Sequence, residues 1–227
     1  MLVMLMATGA LTMVPQAEAA APQWVDEGTM PADRTAFVGI ELPDGRFFVA
    51  LGYSNDTWIY DPSAMSWTRM RDSPVTGPFS ASAYLNGKVH VFGIMVGMDL
   101  FDRTLSYDVL NDTWEIGPKL PRVQVFMGAA AVDERYILLA GGYNYTVPAS
   151  SECHLYDTVE NKFTATEPLP QARCQGSMVA DGNSIYYIGG TDSSAIVRDE
   201  IFEFDISSRT WSLKGHLPAP RTSMGEV

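Results

Sequence analysis

The chain carries little from which an active site could be assembled. It has three histidines, His90, His154 and His216, and no two of them form an H-x-H or H-x-x-x-H pair, so no metal site is expected. There is no glycine-rich phosphate loop and no G-x-S-x-G elbow. Basic residues are scarce: 15 Lys and Arg stand against 27 Asp and Glu, a formal charge of -12, which repels phosphate backbones and argues against a nucleic-acid partner. Only two cysteines occur, and no apolar run is long enough to span a bilayer. What remains is 46% hydrophobic and 19% charged, with 19 glycines and 14 prolines. That mixture suits a packed protein of short strands and many turns.

The longest apolar stretch is at the start. Met1 to Val14 is almost wholly apolar, and Ala17-Glu18-Ala19 fits an A-x-A cleavage site. Residues 1–19 therefore read as a signal peptide, although no Lys or Arg precedes the apolar run. The expectation is a secreted or lumenal protein without a membrane span. The alternative is a cytoplasmic one whose apolar start is spurious.

The rest of the chain repeats itself. An aromatic-Asp pair recurs as Tyr60-Asp61, Tyr107-Asp108, Tyr156-Asp157 and Phe204-Asp205, with spacings of 47, 49 and 48. Six residues after each Asp stands a large aromatic: Trp67, Trp114, Phe163 and Trp211. Seven further on stands a proline: Pro74, Pro121, Pro170 and Pro218. Trp24 and Pro31 repeat this tail once more at the beginning. Upstream of each pair a β-rich run ends in glycine, and a period of this length means stacked supersecondary units. Each unit reads as four short strands, A to D. In residues 122–170 these are Phe126 to Val132, Tyr136 to Ala140, Cys153 to Tyr156 and Phe163 to Thr166. Strand A is rich in small residues, as the crowded centre of a radial array requires.

Gly-Gly, Tyr-Asp and Trp, in that order and at this period, resemble the kelch repeat. The resemblance covers 24–227 and implies an all-β kelch-type β-propeller of four-stranded antiparallel blades. Its parts are a D strand over 24–30, complete repeats at 31–74, 75–121, 122–170 and 171–218, and the start of another repeat at 219–227. Four full blades with partial strands at both ends do not close a ring, so the sequence is expected to be a fragment. Unit one has Leu51-Gly52 and unit two Gly93-Ile94 in place of the double glycine.

The repeated aspartates open the C–D turns, one per blade, and cannot converge as a carboxylate pair. The arginines after the D strands, Arg34, Arg122, Arg173 and Arg221, lie in D–A loops on one rim, where they either grip an acidic partner or brace their own loops. The long B–C connections, Ile94 to Thr104, Tyr143 to Glu152 and Thr191 to Glu200, are read as loops on the same rim. Asn55, Asn111 and Asn144 head N-x-T sequons, open to glycosylation in a secreted chain. Cys153 and Cys174 sit in adjacent blades as a disulfide or as two buried thiols, the latter being favoured. The expectation is a noncatalytic scaffold that binds protein or glycan through the D–A/B–C rim and needs no cofactor. The resemblance also admits a secreted propeller enzyme acting on sugars, an oxidase or a sialic-acid epimerase, or part of an intracellular kelch adaptor. No matching set of copper-binding tyrosines and histidines can be assigned.

Overall fold

The computed structural model describes residues 28–223. The expected signal peptide, residues 24–27 of the first D strand and residues 224–227 of the expected further repeat lie outside the described residues, and neither 28–30 nor 219–223 are in a strand. Among the described residues there is no helix; sixteen strands form four antiparallel sheets of four, and two more form a small hairpin.

Blade 1 holds β1 (Val38–Glu41), β2 (Phe47–Ala50), β3 (Thr57–Asp61) and β4 (Ser66–Met70). Blade 2 holds β5 (Ala81–Leu85), β6 (Lys88–Phe92), β9 (Arg103–Asp108) and β10 (Thr113–Lys119), with the hairpin β7 (Ile94–Val96) and β8 (Asp99–Phe101) between its second and third strands. Blade 3 is β11 (Gly128–Ala131), β12 (Tyr136–Ala140), β13 (Cys153–Asp157) and β14 (Lys162–Thr166). Blade 4 is β15 (Ser177–Asp181), β16 (Ser184–Ile188), β17 (Glu200–Asp205) and β18 (Thr210–His216). The inner strands β1, β5, β11 and β15 pack side by side in that order. The region 94–104, read as a loop, thus contains a hairpin and the start of strand C.

The sequence markers explain the sheets. Each aromatic-Asp pair ends strand C, and its aromatic meets the following Trp or Phe across the C–D pair: Tyr60–Trp67 at 4.8 Å, Tyr107–Trp114 at 5.0 Å, Tyr156–Phe163 at 4.8 Å and Phe204–Trp211 at 5.0 Å between ring centroids. Each Asp accepts backbone N–H bonds within its own turn, for example Asp108 from Leu110 and Asn111, and Asp157 from Val159 and Glu160. Their carboxyls all lie below the usual range because the turns donate to the charged form. For Asp157 the Arg135 guanidinium is the largest cause. Tryptophans also sew blade to blade: Trp114 Nε1 donates to Arg71 O at 3.0 Å, and Trp211 Nε1 to Glu167 O at 3.1 Å.

The core lies between sheets. Leu138, Ala140, Cys153 and Leu155 of blade 3 pack against Met178, Ile185, Tyr187, Phe202 and Phe204 of blade 4, all nearly inaccessible. Both faces of an interior blade are covered, so its strands read as apolar runs and not as strict alternation.

Candidate functional site

Chain direction puts the D–A and B–C connections of every blade on one rim and the A–B and C–D turns on the other. The first rim is built on a repeated strained residue. Just before strand A the chain adopts a left-handed conformation at Ala36, Phe79, Phe126, Gln175 and Ser223, with φ of 51°, 69°, 57°, 58° and 52°. Such a conformation costs about 1 kcal/mol or more at a non-glycine residue. Here it turns each amide toward the preceding blade: Phe79 N donates to Ala36 O, Phe126 N to Phe79 O, Gln175 N to Phe126 O and Ser223 N to Gln175 O, at 2.8–3.3 Å. The blades are thus linked by a chain of backbone hydrogen bonds around the centre.

Inside this chain of bonds opens a cavity of about 530 Å³, lined by Phe37, Phe79, Phe126, Met127, Ser80 and Gln175 among others. Phe79 and Phe126 are 4.5 Å apart between centroids, Phe126 and Tyr143 are 6.2 Å apart, and Tyr143 and Tyr145 are 6.1 Å apart. An aromatic track therefore runs from the cavity onto the rim. There Tyr145 donates through its hydroxyl to Met98 O at 2.8 Å, joining the blade 3 loop to the tip of β7–β8. Each B–C connection also presents at least one large exposed apolar side chain: Tyr53 (70% exposed), Met98 (80%), Tyr145 (55%) and Ile196 (51%).

The structure does not gather the four arginines into a ring of free guanidinium groups. Arg34 donates to Leu51 O and is paired with Asp56; its side chain is 2% exposed. Arg173 is 1% exposed, bonds Glu200 at 3.0 Å, also donates to Ala172 O and Gln171 Oε1, and lies 5.4 Å over the Phe202 ring. Arg122 bonds Glu152 at 2.9 Å, with both side chains about 40% exposed. Arg221 is exposed and donates to Pro220 O. The acceptors Asp56, Glu152 and Glu200 each stand five residues before the repeated Asp, so the pairing recurs with the repeat. Burial raises the Asp56 carboxyl, but bonds from Ser54, Trp58 and Arg34 outweigh it and hold it at about 2. Arg34, Arg122 and Arg173 brace the D–A loop to the start of strand C, and buried Arg34 and Arg173 cannot reach a partner.

Blade 2 departs from this pattern. Gly77 stands where Arg34 and Arg173 stand, two residues before the left-handed residue, and a Cβ there would sit 2.0 Å from Met95 O. The absence of a side chain lets β7–β8 fold against the D–A segment, with Met95 N donating to Pro78 O at 3.2 Å. Sequence reading missed the hairpin; the missing arginine of unit two was its signal.

The other candidates stay apart. His90 is buried in β6 and its ring pKa is pushed down by burial to about 4; His154 is half-buried and lowered for the same reason; His216 bonds Asp199 at 3.1 Å. Among the described residues no three His, Cys, Asp or Glu side chains cluster as a metal site would require. Cys153 and Cys174 are free buried thiols, so the disulfide alternative is not the arrangement found; their sulfurs face Ser151 O and Pro148 O, and burial pushes the Cys153 thiol up to about 12. Asn55 is exposed beside Tyr53 on the rim. Asn144 donates its amide to Val123 O, and Asn111 donates to Asp108 in a C–D turn on the opposite rim. No helix among the described residues is long and apolar enough to cross a membrane.

Repeats of this order on four-stranded, radially packed sheets define a class of fold: the chain forms the blades of a kelch-type β-propeller and is similar to kelch-repeat proteins. No family model matches it. It is similar to Kelch-like protein 36 of Bos taurus, 25% identical over 188 residues that make up 78% of this chain and 30% of that one. It is also similar to Kelch-like protein 15 of Mus musculus (24% identical, 82% and 34%) and to alpha-scruin of Limulus polyphemus (26%, 54% and 14%). The chain thus spans about a third or less of these relatives' length. The solved structure of YjhT superposes with a TM-score of 0.75 at 15% identity, over 85% of this chain and 68% of that one, a likeness of fold alone.

Proposed function

We propose that the chain is a noncatalytic protein-binding propeller that engages its partner through the D–A/B–C rim. The observation that carries this reading is the set of exposed apolar side chains, at least one per B–C connection, around a cavity mouth lined by Phe37, Phe79 and Phe126. Exposed aromatic and aliphatic anchors beside a pocket are what protein interfaces are built from. Charge offers less: Arg34, Arg122, Arg173 and Arg198 are each paired with an acid. An acidic partner would have to break those pairs, so apolar contact is the stronger source of affinity. Exposed Arg221 and half-exposed Arg122 remain as edge contacts. The kelch-like relatives favour protein binding over the sugar-enzyme alternative. The apolar start, Met1 to Val14, favours a secreted or lumenal setting. In that setting a glycan on Asn55 or Asn144 would cover Tyr53 or Tyr145.

The test is site-specific photocrosslinking in the cells that make the protein. A photoreactive residue at Tyr53 or Tyr145 is expected to capture the same protein. One at Met65 or Leu110, exposed on the opposite rim, is expected to capture none. Equal capture from both rims, or from the Met65 side alone, refutes the assignment. A mass decrease on glycosidase treatment that maps to Asn55 or Asn144 would also turn it away from this face.

A further inference from the structure

Blades 1 to 3 share one surface, the face that receives the next blade. Counted from the repeat, its positions hold Phe48, Ala50, Thr57 and Ile59 in blade 1, Leu138, Ala140, Cys153 and Leu155 in blade 3, and His90, Phe92 and Thr104 in blade 2, whose fourth position, Ser106, is half-exposed. All the others are 5% exposed or less. The same positions in blade 4 are Tyr186, Ile188, Ile201 and Glu203, and all four are half-exposed. Val179, which occupies the place of Ala130, is 36% exposed. This face is mostly apolar: Val179, Tyr186, Ile188 and Ile201 stand on it beside Glu203. Its one carboxylate, Glu203, is already served by Ser184, Tyr186 and Lys214 at 2.8–3.1 Å and needs no further donor.

The rim beside it is also prepared. Ser223 N donates to Gln175 O, Arg221 N to Arg198 O, and Gly190 N to Arg221 O, so residues 221–223 already occupy the D–A place of a following blade. Arg221 matches Arg34 and Arg173, which hold Asp56 and Glu200, yet it has no acid beside it among the described residues.

We infer that this face seats a further kelch-type sheet and not a second copy of the chain. A second copy's blade 1 would bring its own Arg34–Ala36 segment into the place that 221–223 fills. The fitting occupant supplies strands B, C and D, with large apolar side chains where blade 4 has Ile185, Tyr187, Phe202 and Phe204. It carries an acid at the position of Glu200 to take Arg221.

The probe is the full chain extended after Val227 by a copy of residues 180–218, which continues the repeat register because Val227 corresponds to Val179. The extended protein is expected to melt roughly 5 °C or more above the 227-residue chain. It should also bind less of an apolar-surface dye and remain monomeric. Ile188→Glu should lower Tm by no more than about 2 °C in the 227-residue chain, where the side chain faces water, and by roughly 5 °C or more in the extended one. Equal losses in both backgrounds overturn the inference. So does a dimer of the unextended chain that Ile188→Glu dissolves, because a second copy would then own the face. Should that graft misfold, residues 131–170, which carry Glu152, are grafted in the same register. Failure of both folded grafts to raise Tm overturns it as well.

Discussion

Glu200→Ala isolates the role of the rim arginines. It leaves the Arg173 guanidinium, 1% exposed, without its carboxylate, while the bonds to Ala172 O and Gln171 Oε1 and the Phe202 ring remain. Stranding one member of a buried pair costs about 3–5 kcal/mol. The control is built into the repeat: Glu152→Ala removes the matching acid from Arg122, where both side chains are about 40% exposed, and an exposed pair is worth ~0–1 kcal/mol. Thermal unfolding followed by tryptophan fluorescence compares the two. At this chain length the difference appears as a Tm gap of roughly 5–15 °C. The double variant Glu200→Met with Arg173→Met should recover much of the loss, because the uncompensated charge goes with its site. The brace reading is wrong if Glu200→Ala costs as little as Glu152→Ala. It is also wrong if Glu200→Ala leaves stability intact and changes only partner capture.

Two further outcomes follow from the same rim. The Asp56 carboxyl, held at about 2, has a folded-state pKa below its unfolded value of ~3.9. Its contribution is therefore fully present above pH 4–5 and is lost as pH falls toward 2. Asp56→Asn should accordingly lower the urea midpoint at pH 7 and shrink the loss between pH 5 and pH 2, and an unchanged acid limb would contradict the assignment. Gly77→Ala should force β7–β8 off the D–A segment, because the new methyl meets backbone at Met95 O. Hydrogen exchange over 94–101 is expected to speed up at least tenfold, while exchange in β12 and β16 holds; unaltered exchange over 94–101 would show that the hairpin does not rest on Gly77.

Much of the fold was legible because the repeat forces the same physics four times. Asp at the end of strand C and the aromatic six residues on are turn and packing devices, and both can be read from spacing. The strand edges were less legible: Phe126 was read into strand A, but its φ of 57° ends the extended backbone there, and β11 begins at Gly128. The arginines were found and their chemistry was left open, since spacing places a side chain on a rim without saying whether an acid lies beneath it. Their acceptors were legible only as a second recurrence, five residues before the repeated Asp in units one, three and four. The left-handed residues were not legible at all. Ala, Phe, Phe, Gln and Ser share no chemistry; what Phe79, Phe126, Gln175 and Ser223 have in common is the backbone hydrogen bond each gives to the preceding blade, which side-chain identity does not announce.

Departures from the repeat carry the argument about function further than the repeat does. Where the brace is kept, the B–C connection is tied to its own loop and projects one exposed side chain. Where Gly77 replaces the arginine, the freed volume is taken by backbone, and β7–β8 rises as an ordered hairpin tipped by Met98. Tyr145 then ties that tip to blade 3. The exposed side chains of blades 2 and 3 are thereby fixed relative to each other before any partner arrives, which lowers the ordering cost of binding. Tyr53 and Ile196 stand on connections without such a cross-blade bond through a side chain at the tip, so the rim between blades 2 and 3 is its most preorganised part. Partner selectivity should be concentrated there.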